Sequence, residues 1–324
     1  MCTCITYENG DFYFGRNMDL EYRFGEKVVI TPRNYVLPLK AHPAQKLSYA
    51  MIGMAAVREG YPLYAEAVNE NGLGMAGLNF PGNAAYREAR KGSQNITPYE
   101  LIPWVLGQCA CRKEAVALLQ ELNLLNVPFA EGLPLTPLHW MIADRSGCSV
   151  LESTEEGVRI YENPYGVLTN NPPFPYYQHH MGNYRNLTAK TPDDNFAGAL
   201  KLPLLGQGQG AAGLPGDFSP VSRFVRAVFL KWNSRSERDE MSNISQFFHV
   251  LDGVAMVRGS VITESGAPDM TTYSCCVNAD RGVYYYRTYE NHQIQAVGMN
   301  SENMEGEELT VFELAEEQRV NYQN

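Results

Sequence analysis

A thiol stands directly behind the initiator methionine, in Met1-Cys2-Thr3-Cys4-Ile5. Cys is small enough that methionine aminopeptidases generally remove a Met before it. Removal leaves a thiol and a free α-amine on one residue. An unperturbed α-amine titrates at about 7.7–8.0, so part of it is uncharged near neutral pH and able to take the proton of its own nucleophile. The chemistry this placement allows is covalent catalysis by an N-terminal cysteine. The plain alternative is a small buried cysteine with no chemical task. Local geometry favours the first reading. Thr3, Ile5 and Tyr7 suit a strand, Asn9-Gly10 is a tight-turn signal, and Phe12 to Asp19 reads as a strand returning antiparallel. Its far end, with Arg16 and Asp19, then lies near Cys2. A guanidinium favours a thiolate and a carboxylate holds an ammonium, whereas a surface ion pair between the two would contribute little.

Other constellations are weaker. Cys2/Cys4 and Cys109/Cys111 are C-x-C pairs, which lack the spacing of a structural zinc site, so no metal is expected. No local signature pairs a cysteine with His139 or His180, and His139 reads as a buried strand histidine. No G-x-S-x-G elbow occurs. Gly208, Gly210 and Gly213 fit a dinucleotide fingerprint by spacing, but no strand runs into them and Pro215 breaks the helix start. No organic cofactor is expected.

The elements that must position a site around Cys2 follow in order. Leu63–Val68 and Gly74–Phe80 flank a second Asn-Gly turn, and Asn79 ends the second arm before Pro81-Gly82. A carboxamide fixed there suits an oxyanion donor, although Asn is also a common turn residue. Thr97-Pro98-Tyr99-Glu100 is a capping box opening a helix to about Leu106. A second helix is expected over Arg112–Leu125, a hairpin over Leu138–Ala143 and Ser149–Glu152, and helix over Tyr176–Leu187. Gly166-Val167-Leu168-Thr169-Asn170-Asn171-Pro172 is a short strand ending at Asn before Pro. Ser219-Pro220 caps a helix whose first turn holds Arg223, where the helix dipole disfavours a cation; such an arginine needs an offsetting partner. Ser242–Val257 reads as another helix, and strands fill 271–312. Strands, two helices, strands, more helices and strands suit two antiparallel sheets packed together and covered by helices.

The chain has 324 residues, 44% hydrophobic and 19% charged, enough for a large core with no disordered composition. No composition break or linker divides it, so one domain over 1–324 is expected, with Met1 removed. A net charge of −10 argues against nucleic acid and against docking on anionic lipid. No leader and no membrane span are expected. Seven cysteines are too few for a secreted disulfide scaffold, and a cytoplasmic location is expected.

Met1-Cys2-Thr3 followed by Phe14-Gly15-Arg16-Asn17-Met18-Asp19 resembles the opening of the choloylglycine hydrolases, N-terminal-nucleophile amidases that include bile salt hydrolases and penicillin V acylases. The Asn79, Asn170 and Ser222-Arg223-Phe224 motifs follow in the family's order, so the resemblance runs through essentially the whole chain. It implies a four-layer αββα sandwich. It implies hydrolysis of the amide of glycine- or taurine-conjugated bile salts, such as glycocholate and taurocholate, with no cofactor. The catalytic set would be Cys2, Arg16, Asp19, Asn79, Asn170 and Arg223. Met18, Phe129 and Leu133 would be apolar mouth positions, and the Gly206–Gly216 loop an assembly element of a homotetramer. Asn79 favours a bile salt hydrolase over a penicillin V acylase, which typically has Tyr there. A non-enzymatic metal-binding or structural protein is the remaining alternative.

Overall fold

A computed structural model describes residues 1–324. Strands β1 (Cys2–Asn9) and β2 (Asp11–Leu20) form the expected first hairpin, closed at Gly10 with φ +79°, a left-handed conformation that glycine adopts without penalty. Next come β3 (Glu26–Thr31), β4 (Met51–Arg58), β5 (Tyr61–Asn69) and β6 (Gly74–Asn79), then helices α1 (Leu101–Leu106) and α2 (Arg112–Leu118). A meander of β7 (Leu138–Asp144), β8 (Gly147–Thr154) and β9 (Gly157–Glu162) leads to β10 (Val167–Leu168). Helices α3 (Phe174–His180), α4 (Pro220–Asn233) and α5 (Glu240–Asp252) precede β11 (Pro268–Asn278), β12 (Val283–Thr288), β13 (Gln295–Gly298) and β14 (Thr310–Phe312).

The strands make two antiparallel sheets. One has the order β10-β1-β2-β11-β12-β13, the other β9-β8-β7-β6-β5-β4-β3-β14. The long α4 and α5 cover the first sheet at β1, β2 and β11, while α1 and α2 cover the second at β5 to β8. The four-layer expectation therefore holds. Cys2, Cys4, Phe14 and Met18 from the first sheet share one apolar cluster with Met54, Val68, Ala76 and Leu78 from the second. A separate cluster under α1 holds Trp104, Leu106 and Trp140. No helix is long and apolar enough to cross a membrane.

Several boundaries differ from the sequence reading for non-local reasons. The second helix stops at Leu118, not Leu125, because Leu122–Leu124 pairs in parallel with Gln94–Ile96. The helix expected over Tyr176–Leu187 runs over Phe174–His180 and ends in a 3₁₀ turn at Met181–Tyr184. That expected over Ser242–Val257 starts at Glu240, capped by Asp239, and ends at Asp252. The α4 start is as expected, with Ser219 as N-cap accepting from the Ser222 amide and Pro220 in the first turn.

Candidate active site

Pairing of the first hairpin sets Cys2 opposite Met18, Thr3 opposite Asn17 and Cys4 opposite Arg16. Partners across an antiparallel pair share a face, and faces alternate along a strand. Cys2, Arg16 and Met18 thus point between the sheets, whereas Thr3, Asn17 and Asp19 point toward α4 and α5. The Cys2 thiol and the Cys2 backbone nitrogen consequently meet different sets of groups.

On the thiol side, Cys2 Sγ lies 3.8 Å from Met18 Sδ, and Arg16 Nη2 lies 3.6 Å from the same sulfur. The Arg16 guanidinium is fully buried and donates from Nη1 to the Gly77 carbonyl at 2.6 Å and the Ala65 carbonyl at 3.3 Å, both on the second sheet. Burial pulls its pKa down, but the Cys2 thiol, Tyr273, Glu66 and Cys4 outweigh that and hold Arg16 above the usual guanidinium range.

On the nitrogen side, the Cys2 N–H donates to Asn170 Oδ1 at 3.0 Å. Arg223 donates to the same oxygen at 2.7 Å, to the Cys2 carbonyl at 2.5 Å and to Thr3 Oγ1 at 2.7 Å. These acceptors are the offsetting reason for a cation in the first turn of α4. Asp19 lies beneath them. Its Oδ1 accepts from Thr271 Oγ1 at 2.6 Å, while Oδ2 has no hydrogen-bond partner and sits 3.9 Å from Arg223. Burial pushes the Asp19 carboxyl up, against the pull of Arg223, the chain-terminal ammonium and Thr271. Arg223 is pulled below its ordinary value by burial, with Asp19 opposing. Met1 extends the ladder: its carbonyl accepts from the Asp19 N–H at 2.9 Å, and its ammonium donates to the Asp19 carbonyl and lies 3.5 Å from Asp269 Oδ2.

The two asparagine-ended strands converge here. Asn170 Nδ2 donates to the Asn79 carbonyl at 2.8 Å, so one donor ties both strand ends together. The Asn79 side chain is half-buried at the end of β6 and makes no hydrogen bond within the chain. Asn171, easily confused with Asn170 in the sequence, points elsewhere, to the Pro81 carbonyl and Asn83. Met18 contacts the thiol as described. Phe129 packs its ring against Tyr61 and Tyr99 at 5.5 and 5.2 Å, within the cluster under α1. Leu133 is exposed beside a loop hollow of about 410 Å³ lined by Asn126, Pro128, Ala130 and Leu135.

Three features of the surroundings were not visible in the sequence. Thr271 and Tyr273 pair with the adjacent Asp19 and Met18 because a β-bulge intervenes. The bulge sends Thr271 to Asp19 and Tyr273 between the sheets. Ala65 is bulged out of the β4–β5 ladder, and its carbonyl accepts from Arg16. His139, buried as expected, stacks on Phe80 at 4.3 Å and bonds the Thr169 carbonyl at 3.1 Å and Glu152 at 3.3 Å. It thereby braces the residues adjoining Asn79 and Asn170.

The sequence profile of the linear amide C–N hydrolases, choloylglycine hydrolase family, matches residues 2–312. The chain is 48% identical over 98% of both chains to a bile salt hydrolase/transferase of Lactiplantibacillus plantarum. It superposes with TM-score 0.92 and 38% identity, over 100% of both chains, on a mutant of the conjugated bile acid hydrolase of Clostridium perfringens. A penicillin V acylase of Agrobacterium tumefaciens shares the fold at TM-score 0.72 and 20% identity, covering 96% of this chain and 90% of its own.

Proposed function

The chain belongs to the choloylglycine hydrolase family and is a hydrolase of linear amide C–N bonds, and from that premise we propose that it cleaves the amide of glycine- or taurine-conjugated bile salts through Cys2 after loss of Met1. The observation that carries the mechanism is the hydrogen bond from the Cys2 nitrogen to Asn170 Oδ1. It fixes the atom that becomes the free amine beside the thiol it must deprotonate. Removal of Met1 also leaves Asp19 Oδ2, which accepts no hydrogen bond, as an acceptor for the new ammonium.

In this reading the α-amine takes the thiol proton, through water, and the thiolate attacks the amide carbonyl. Arg16 stabilises the thiolate from between the sheets, and Arg223 clamps Cys2 and Asn170 from the helix side. The carbonyl electrons move onto oxygen. The uncommitted Asn79 amide and the one Asn170 hydrogen not given to Asn79 receive that charge. Collapse expels glycine or taurine, whose nitrogen regains the proton from the α-amine. Water then attacks the thioester, releasing free bile acid and thiol. Met18 forms the floor at the nucleophile, and the Phe129–Leu133 loop supplies apolar mouth surface.

The substrate class rests on the relatives' activities. The test is kcat/KM for glycocholate, taurocholate and penicillin V on protein of known N-terminal mass. The bile salts should be preferred; a preference for penicillin V would overturn the substrate and leave the nucleophile standing. The reading includes a cytoplasmic homotetramer. Phe196, Leu200, Leu202, Leu204 and Leu205 are all exposed just before the Gly-rich loop, and apolar exposure of that kind supports burial between copies.

A further inference from the structure

Glu66 is a fully buried carboxylate on β5, in a strand otherwise lined by Tyr64, Ala67 and Val68. Its Oε2 lies 3.7 Å from Arg16 Nη1 across the gap between the sheets. Tyr284 donates to Oε1 at 2.7 Å, Tyr273 to Oε2 at 2.8 Å, and the Cys275 thiol approaches Oε1 at 3.5 Å. All three donors come from the first sheet, on β11 and β12. Both oxygens are therefore occupied, and the group has no access to solvent or substrate. A buried charge at this depth is tolerated only when paired and fully hydrogen-bonded. Arg16 has no other acidic partner within ion-pair distance; its remaining acceptors are carbonyls and a thioether. The carboxylate cannot take part in bond making, since it lies behind Arg16.

We propose that Glu66 is a positioning residue for the reaction, the counter-ion that balances the buried Arg16 charge and fixes Arg16 beside the Cys2 thiol, with Tyr273 and Tyr284 holding Glu66 in turn. This rests on the reading of Arg16 as a thiolate-stabilising group. Glu66→Gln preserves shape and an acceptor for the tyrosines but removes the charge. Arg16 then keeps only neutral acceptors, which neither balance nor orient its charge as tightly. The deficit belongs to the step in which the thiolate develops, so it falls on kcat rather than on substrate binding.

The experiment is a double-mutant cycle with Arg16→Gln and Glu66→Gln, on glycocholate, with turnover normalised to Met1-free chains whose Cys2 is alkylated in a titration. Glu66→Gln alone should lower kcat about tenfold with KM within about twofold. In the Arg16→Gln background the same change should alter kcat by less than about twofold, because Glu66 acts through Arg16. A per-site kcat for Glu66→Gln within twofold of wild type, while Arg16→Gln is impaired, overturns the proposal. So does a multiplicative loss in the double variant, which is what a purely structural Glu66 gives. Wild-type turnover by Arg16→Gln instead overturns the underlying reading of Arg16. If Glu66→Gln yields no titratable Cys2, Tyr273→Phe replaces it in the cycle. It removes one hydrogen bond to Glu66 and should lower kcat about threefold with Arg16 present and not without it; equal losses in both backgrounds overturn the proposal.

Discussion

At Cys2 the two faces of one strand divide the chemistry. The thiol meets Met18, whose sulfur Arg16 also contacts, between the sheets, and the nitrogen meets Asn170 on the helix side, where Arg223 holds the Cys2 carbonyl and Asp19 lies beside Arg223. Cys2→Ser should fold normally and lose activity by roughly 10³-fold or more, since a hydroxyl is a far weaker nucleophile near neutral pH; circular dichroism and turnover check this. Asn79→Ala removes the uncommitted amide and should lower kcat by roughly 10²–10³ with little change in KM. Asp19 gives a pH prediction. Burial raises its carboxyl above the ordinary 3.8. A raised carboxyl contributes most to stability below the unfolded value and loses that contribution as pH rises through the folded one. Asp19→Asn abolishes that titration, so the margin between the two melting temperatures, variant minus wild type, should shrink as the pH falls from 7 toward 4, while the variant is far less active. Melts of both proteins across that range check the sign. A margin that widens on acidification contradicts it.

The elements show which parts of this arrangement a sequence can reveal. The first hairpin was legible because its signals, alternation and Asn9-Gly10, are local. Arg16 and Asp19 were thereby placed near Cys2 from residue order alone, and Ser219-Pro220 marked the helix that carries Arg223. The Arg112 helix was read seven residues too long because Leu122–Leu124 answers to a partner strand far away in sequence. Glu66 was missed although one signal existed, a lone acid in the apolar run Leu63-Tyr64-Ala65-Glu66-Ala67-Val68. Its partners lie on the other sheet, more than two hundred residues away for the tyrosines, so no local pattern names them. Close strand approach was likewise hidden. A Cβ on Gly15 would stand 2.1 Å from the Cys275 carbonyl oxygen, so β2 and β11 must separate to admit one. Gly15→Ala should cost about 1–3 kcal/mol of stability and loosen Arg16 with it; urea denaturation and turnover per folded chain measure both.

The whole molecule is a sandwich whose central seam holds the proposed site, with Arg16 from one sheet seated on carbonyls of the other and Arg223 delivered by the covering helix. Its exposed apolar segment, Phe196 to Leu205, bears on assembly. Leu202→Glu with Leu205→Glu should convert the proposed tetramer to smaller species in light scattering and leave monomer stability nearly unchanged, since both side chains are exposed in the single chain; an unaltered mass would exclude this segment from the interface. The central claim, that the free amine of Cys2 drives amide hydrolysis by its own thiol, is tested most directly by turnover of glycocholate in preparations whose Met1 content is fixed by intact mass before and after the assay. Turnover should scale with the fraction of chains that begin at Cys2 and vanish as that fraction approaches zero. Full turnover by protein that still carries Met1 at the end of the assay would contradict it.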